Sequence, residues 1–241
     1  MVMVYCEGQT EWHVIRKLHE YNVLNGDQIF KINDADVHII NSPKRITKNF
    51  ILNSPRSWSG FLLVYDREGY TSPIDFVNNE FSHLSPWNQV NHNIFCTRCN
   101  NRLVYLHVND SSSPNGNGDF DGYLVKLITT IGPQLAQLIF DNALPAYIRG
   151  SVTTSNNIPS AIHQIGTQDI PDLMKRNAFP IQRSKGQLYA YITASQLSKS
   201  HVWFAEKIIN LVLENGLTHY VENVFDTLID AWDRLIGGQC P

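Results

Sequence analysis

Two carboxylates lie close together near the start of the chain, where a short apolar segment gives way to a helical pattern. Glu7 and Glu11 stand on either side of Gly8, and the apolar residues 2–6 predict a buried strand that ends in a tight turn. From Thr10 onward apolar residues recur at helical spacing, so Thr10 is expected to be the N-cap of a helix. A tight turn at Gly8 would let the two carboxylates converge on one hard cation. The alternative is that Glu11 only complements the positive end of the helix dipole.

A second acidic pair follows the most strand-like segment of the sequence. Residues 60–65 are almost continuously apolar, as in a central parallel strand, and they lead into Asp66-Arg67-Glu68-Gly69. On extended backbone Asp66 and Glu68 point to the same side, at the carboxyl end of the strand, where open α/β sheets place their sites. A polar turn without a chemical role is the alternative.

A third acidic pair, Asp119 and Asp121, again precedes a helical pattern. It follows strands predicted at residues 94–96 and 103–108 and a loop rich in Ser, Pro, Asn and Gly. Either aspartate could instead cap the helix. Acidic residues thus recur after three strand segments, which supports a shared site, with capping as the alternative.

Basic residues form one local cluster. Lys44, Arg45 and Lys48 lie in a short helical pattern and could meet phosphates, and a solvated surface is the alternative. The formal net charge of the 241 residues is −3, so no overall basic field indicates nucleic acid. Binding of DNA or RNA is therefore expected to be local or to depend on a partner.

The elements that must position these residues alternate between strands and helices. They predict an α/β fold, a mostly parallel central sheet flanked by helices with a helical C-terminal extension. We expect an α/β core over residues 1–125 and a mainly helical region over 126–241. Within the latter, Pro133 restarts a helix, residues 150–169 form a loop, and an apolar stripe from Val221 to Leu235 makes one helix that docks on the sheet or faces a partner. The aromatic cluster at 201–204 either packs in the core or stacks on bases.

The cysteines and the hydropathy pattern bear on the compartment. Four cysteines are few for a disulfide scaffold of this length, and Cys96 and Cys99 are the only pair at metal-like spacing. A zinc site would need a second pair, and Cys6 and Cys240 lie at opposite ends of the chain. We expect Cys96 and Cys99 to be two thiols at a strand end. There is no apolar run of membrane-spanning length and no signal-like start, so we expect a cytoplasmic protein without membrane association.

The two strand-end motifs carry a family resemblance. Glu7-Gly8-Gln9-Thr10-Glu11 and Tyr65-Asp66-Arg67-Glu68 resemble the signature of the Toprim fold, shared by topoisomerases, bacterial primases and overcoming-lysogenization-defect (OLD) nucleases. The chain also resembles the small stand-alone Toprim proteins and OLD nucleases in two further features, an acidic helix start after a strand and loop, and a late lysine that opens a helix. The resemblance implies a Toprim-like sheet and Mg²⁺- or Mn²⁺-dependent hydrolysis of DNA or RNA, in phage defence or nucleic-acid processing.

The resemblance also implies roles for individual residues. Catalysis would rest on Glu7, Asp66, Glu68 and Lys185, and the metal ligands would be Glu7, Glu11, Asp66 and Glu68, with Asp119 or Asp121 at a second position. Lys185 opens a late helical pattern, as the late lysine of the family does. Glu68 replaces the second aspartate of the family's Asp-x-Asp pair, and Asp119 and Asp121 stand where a glutamate is usual, which keeps the charge and changes the reach.

Partners differ between the two functions that stay open. A nuclease would bind DNA or RNA directly. Many small Toprim proteins work beside ATPases, so the alternative is a non-catalytic or partner-activated effector subunit that docks to an ATPase. Self-association into a homo-oligomer is compatible with both.

Overall fold

Six strands form one central sheet in the computed structural model, which describes residues 2–24, 37–55, 60–111, 118–142, 158–177, 184–195 and 200–241. The fold is α/β, as predicted. The strands are β1 Val2–Cys6, β2 Val37–Ile39, β3 Gly60–Asp66, β4 Asn88–Gln89, β5 Ile94–Cys99 and β6 Arg102–Asn109.

The sheet is mostly parallel and is ordered β2-β1-β3-β6-β5-β4. Strands β2, β1, β3 and β6 run parallel, whereas β5 and β4 continue the sheet in antiparallel pairs. The chain leaves β1 towards β2 on one side, while β3 lies on the other side of β1. The carboxyl ends of β1 and β3 therefore flank a topological switch point, where open α/β sheets bind their ligands.

Helices cover both faces of this sheet. On one face, α2 (Lys48–Asn53) and α3 (Pro73–Glu80) enclose a core of large apolar side chains from β1, β3 and β6. On the other face lie α1 (Gln9–Glu20) and the last helix, α11 (Asp226–Ile236), which packs on β3 and β6. A Cβ atom at Gly60 would lie 2.8 Å from Leu235 Cδ1, so the glycine lets the last helix approach the sheet closely.

A helical unit occupies most of the second half of the chain. Its helices are α4 Asp121–Ile131, α5 Pro133–Asn142, α6 Ile158–Gln164, α7 Ile170–Arg176, α8 Ser184–Ala194, α9 His201–Glu214 and α10 Thr218–Val224. The turn between α4 and α5 lies at Gly132, whose φ is +69°, directly before the predicted restart at Pro133. Leu127, Ile139, Leu188 and Ile208 are fully buried.

The chain divides into two compact units. The sheet unit contains residues 1–112, 116–120 and 225–241, and the helical unit contains residues 113–115 and 121–224. The last helix thus belongs with the sheet, the first of the two alternatives considered for it.

Several local predictions were wrong. The first helix begins at Gln9 with Gly8 as its N-cap, so Thr10 lies inside the helix, where its side chain is buried. The predicted loop is helical over Ile158–Asp169, where α6 continues into a π-helical turn, Ile165–Asp169. The expected last helix is two helices, α10 and α11, separated at Phe225. The loop predicted between the first helix and β2 lies largely outside the described residues.

Cys96 and Cys240 form a disulfide, with a Cα–Cα distance of 6.0 Å. The expectation of two thiols at the end of β5 is therefore wrong for Cys96, and Cys99 is a buried free thiol. Sequence spacing did not indicate this pairing because the partners lie 144 residues apart and meet only when the C-terminal tail returns to the sheet.

The helices of the described residues are short. None of the helices there is by itself long and apolar enough to cross a membrane, and one sharply bent pair, α4 with α5, meets the criteria of length and composition jointly.

Candidate active site

Glu7 and Asp66 are brought together at the switch point. Glu7 directly follows β1, and its backbone N–H donates to the Val64 carbonyl over 3.1 Å. Its side chain turns to β3, where Oε2 accepts a hydrogen bond from the Asp66 backbone N–H over 2.9 Å. The first and second sequence motifs thus meet through a direct contact between neighbouring strand ends.

Hydrogen bonds hold the carboxylate of Asp66 through one of its two oxygens. Oδ1 accepts the Asn109 side-chain amide and the Phe120 backbone N–H, each at 2.8 Å. Asn109 lies beside Asp66 because β3 and β6 are parallel and these two residues are in register. None of the described residues donates a hydrogen bond to Oδ2, so that oxygen is available to a ligand.

Glu11 belongs to the same region. Its side chain is buried in the first turn of α1, at 5% exposure. A Cβ atom at Gly8 would lie 3.0 Å from Glu11 Oε2, so the absence of a side chain at Gly8 makes room for this carboxylate.

The carboxylates raise one another's pKa values. Burial raises the pKa of Glu7 to about 7; the nearby Glu68 carboxylate adds to the shift, and the Asp66 N–H opposes it. Burial also raises the pKa of Asp66 well above its ordinary value, reinforced by the charges of Glu11 and Glu7 and more weakly by Asp119. Crowded, desolvated carboxylates of this kind are relieved by a proton or a cation.

Glu68 reaches the site by a different route from the one predicted. Strand β3 ends at Asp66, and Glu68 lies in the following turn with a left-handed φ of 56° and an exposed side chain. The extended alternation that would have placed Asp66 and Glu68 on one side is therefore wrong. The turn nevertheless brings the Glu68 carboxylate next to Glu7.

The third acidic pair is divided between the two units. Asp119 belongs to the sheet unit, and its charge acts on Asp66. Ser111 Oγ donates to its backbone carbonyl and so ties this segment to the end of β6. Asp121 is the first residue of α4, in the helical unit.

The donor set fits a hard divalent cation in its chemistry. Carboxylate oxygens are the ligands of Mg²⁺ and Mn²⁺, and Glu7, Glu11, Asp66 and Glu68 supply them with perturbed or crowded charges. Within the described ranges, no group of three or more His, Cys, Asp and Glu side chains is already arranged around one metal position. Binding would therefore require these side chains to rotate towards a common point.

The proposed phosphate-contacting residues lie on the surface of the sheet unit. Lys44 and Arg45 belong to a 3₁₀ turn, Pro43–Arg45, and Lys48 opens α2; all three are exposed. Lys44 Nζ lies 3.8 Å from Glu80 Oε2, and Lys48 Nζ donates to the Ser85 carbonyl over 3.2 Å. These contacts fit the solvated-surface alternative as well as a phosphate contact.

Lys185 lies in the first turn of α8, as predicted, with an exposed side chain. Partial burial lowers the pKa of His201, and the charge of Lys185 adds to the shift. His201 Nδ1 lies 3.1 Å from the Tyr189 hydroxyl. In the aromatic cluster at 201–204, Phe204 is fully buried, as the core-packing alternative predicts. Trp203 is 36% exposed.

Asn109 is the site residue that sequence reasoning missed. The predicted strand stops at residue 108, before Asn109, which is fully buried and bonds directly to Asp66. The available signal was its position, because Asn109 ends a long and largely apolar strand, as Asp66 does. Only the parallel register of the two strands makes these positions neighbours.

Comparisons with known proteins support the fold. A crystal structure of hypothetical protein PH0156 from Pyrococcus horikoshii OT3 is similar to this chain, with a TM-score of 0.57 and 12% sequence identity over 98% of this chain and 99% of that chain. No family model matches the chain, and no curated protein matches it significantly. The likeness shows a shared fold and carries no activity with it.

Proposed function

We propose that this protein is a metal-dependent nuclease of Toprim type, which hydrolyses phosphodiester bonds of DNA or RNA with Mg²⁺ or Mn²⁺. The observation that carries the proposal is the meeting of Glu7, Glu11 and Asp66 at the switch point of the sheet, with the pKa values of Glu7 and Asp66 raised. A cation would relieve this crowding. The Toprim resemblance of the two strand-end motifs supports the same activity.

The carboxylates of the chain have distinct tasks in this proposal. Glu7, Glu11, Asp66 and Glu68 would hold the metal, and Asp119 or Asp121 would support a second position. The metal, when bound, would supply Lewis-acid polarisation of the phosphate and a water of lowered pKa. Asp66 is suited to a fixed ligand because Oδ1 is already held and Oδ2 is open.

Cationic side chains would serve the phosphate. Lys185 cannot ligate a metal while protonated, so its role would be to bind the phosphate or to balance charge in the transition state. Lys44, Arg45 and Lys48 would contact the backbone of the nucleic acid. We propose the cytoplasm as the compartment, where nucleic acid is accessible.

The test is cleavage by the purified chain of single- and double-stranded DNA and RNA, with Mn²⁺, Mg²⁺ or a chelator. Wild type should cut only with metal, and Glu7→Gln and Asp66→Asn should each cut at least about 100-fold more slowly. Glu20→Gln is the matched control. It removes an exposed carboxylate of α1 whose ion-pair partner among the described residues is Lys17, and this variant should cut like wild type.

The alternative is that the protein is an effector subunit that docks to an ATPase. Such a subunit would be non-catalytic or would be activated by its partner. Wild type that binds Mn²⁺ but cuts no substrate would favour the partner-activated form. Wild type that neither binds Mn²⁺ nor cuts would contradict the nuclease proposal and leave the docking module.

A further inference from the structure

A line of buried polar side chains runs from the last helix to Asp66. His107 and Asn109 lie on one face of β6, both without exposed surface. Asn109 Nδ2 is 2.8 Å from Asp66 Oδ1, and Asn109 Oδ1 is 3.1 Å from His107 Nδ1. At the far end, His107 Nε2 is 2.9 Å from the Thr227 hydroxyl on α11. Each of these residues belongs to the sheet unit.

The direction of each hydrogen bond follows from the Asp66 end. Asp66 Oδ1 also accepts the Phe120 backbone N–H, so this oxygen is an acceptor and Asn109 must present its amide N–H to it. The Asn109 carbonyl oxygen is then left as an acceptor, and His107 Nδ1 must carry a hydrogen. His107 Nε2 becomes an acceptor, so the Thr227 hydroxyl donates to it.

Asn93 agrees with this assignment. Its side-chain amide lies 3.2 Å from His107 Nε2 and 3.2 Å from the Val108 carbonyl oxygen, so it donates to both. It also lies 3.3 Å from the Thr227 hydroxyl oxygen. Burial lowers the pKa of His107 to about 4, which keeps the ring neutral, with one donor and one acceptor nitrogen.

We propose that Thr227, His107 and Asn109 are positioning residues for Asp66, joined in a one-way chain of hydrogen bonds that starts on the last helix. The inference rests on the proposed function for what Asp66 binds. If the Asn109 amide turned over, its oxygen would face the Asp66 carboxylate and its N–H would face the His107 N–H, so both contacts would become repulsive. His107 thus fixes the orientation of the amide, and the fixed amide holds Oδ1 and leaves Oδ2 open to a ligand.

Hydrogen bonds in such a chain polarise one another, so removing the Thr227 donor should also weaken the hydrogen bond to Asp66. Thr227→Val removes the hydroxyl donor at nearly constant volume, and Thr227→Ser restores it. Thr129→Val is the matched control, because the Thr129 hydroxyl bonds only to backbone carbonyls of α4 in the described chain.

The first measurement does not depend on metal or activity. Nitrogen-15 NMR of the His107 ring should show the hydrogen on Nδ1 in wild type. Hydrogen exchange of that ring proton and of the Asn109 side-chain amide should be at least about tenfold faster in Thr227→Val and close to wild type in Thr227→Ser and Thr129→Val. A hydrogen on Nε2, or unchanged exchange in Thr227→Val, would overturn the chain.

The second measurement is Mn²⁺ affinity by calorimetry. Loss of an outer partner of a metal ligand costs about 10–100-fold in affinity, and Thr227→Val should fall at the lower end while Thr227→Ser and Thr129→Val bind as wild type does. If wild type binds Mn²⁺ and Thr227→Val binds equally well, the positioning role is wrong and the metal site stands. If wild type does not bind Mn²⁺, the proposed function fails, and the NMR result alone decides the hydrogen-bond chain.

Discussion

At the scale of single residues, the site is defined by which carboxylate atoms are already engaged. Glu7 is tied to the Asp66 backbone by Oε2, and Asp66 is tied to Asn109 and Phe120 by Oδ1. The same contacts that place these groups also withdraw them from water, which costs free energy when they are charged. The chain therefore carries a cluster of carboxylates whose charged form is unfavourable in the folded state.

The pH dependence of metal-free stability should report this cost. The pKa of Glu7 is raised from 4.5 to about 7, so between these values the folded state binds more protons than the unfolded state. The contribution of Glu7 to the free energy of unfolding therefore decreases as the pH rises from about 4.5 to about 7. Above that range the full cost of burying the charged carboxylate is present. In chelator at pH 8, Glu7→Gln should be more stable than wild type by about 1–3 kcal/mol, discounted for partial exposure.

Urea unfolding of the two proteins at pH 5 and pH 8 measures the effect. The gain in unfolding free energy of Glu7→Gln over wild type should be small at pH 5 and large at pH 8. The difference between Glu20→Gln and wild type should not depend on pH. An advantage of the same size at both pH values would mean that the substitution acts by packing and not by charge.

At the scale of elements, the sequence predicted those features that are encoded locally. Strands β1, β3 and β6 were predicted because each is an apolar run with a polar end. In the structure Asn100-Asn101 forms the turn between the antiparallel strands β5 and β6, with Asn100 at φ 55°. The pairing of Asp66 with Asn109 was not predictable, since it depends on which strands become neighbours and in what register.

The helical segment at 158–169 shows the same limit. Its glycine and flanking prolines are typical of a loop, yet Gly166 lies where a Cβ atom would be 2.9 Å from the Tyr191 Cα atom, so the glycine permits close packing against α8. Local composition cannot distinguish a glycine that ends a helix from one that lets two helices touch.

The last helix provides an element-scale prediction. Gly60→Ala places a Cβ atom 2.8 Å from Leu235 Cδ1, so α11 must shift or the leucine must change rotamer. We expect a loss of about 1–3 kcal/mol in unfolding free energy, as for other overpacked cores. Gly69→Ala is the matched control, because a Cβ atom there would have open space.

A double-mutant cycle locates the cause. Leu235→Ala should be destabilising by itself, and combining it with Gly60→Ala should cost less than the sum of the two single losses. Strict additivity would mean that the strain at Gly60 lies elsewhere.

At the scale of the whole chain, the C-terminal tail ties the end of the sequence back to the sheet. In addition to the Cys96–Cys240 disulfide, two hydrogen bonds hold the tail. The Tyr105 hydroxyl donates to the Gln239 carbonyl over 2.6 Å, and the Asn88 side-chain amide donates to the Pro241 carbonyl over 2.8 Å. These contacts anchor the segment that follows α11, the helix that carries Thr227. Disulfides are rare in the cytoplasm, so in that compartment this anchor would have to work in part through its hydrogen bonds.

The last prediction concerns the disulfide. It closes a loop between residues 144 positions apart, so it restricts the unfolded chain strongly, and its loss should lower the unfolding free energy by about 2–5 kcal/mol. Calorimetric melting should show a lower Tm for Cys240→Ser than for oxidised wild type, and reductant should lower wild type to a similar Tm. Reductant should leave Cys240→Ser unchanged, because in the described chain Cys6 and Cys99 are free thiols. A Tm of wild type that does not respond to reductant, with both cysteines then accessible to alkylation in the unfolded state, would show that the bond does not form in solution and that the hydrogen bonds of the tail alone hold it to the sheet.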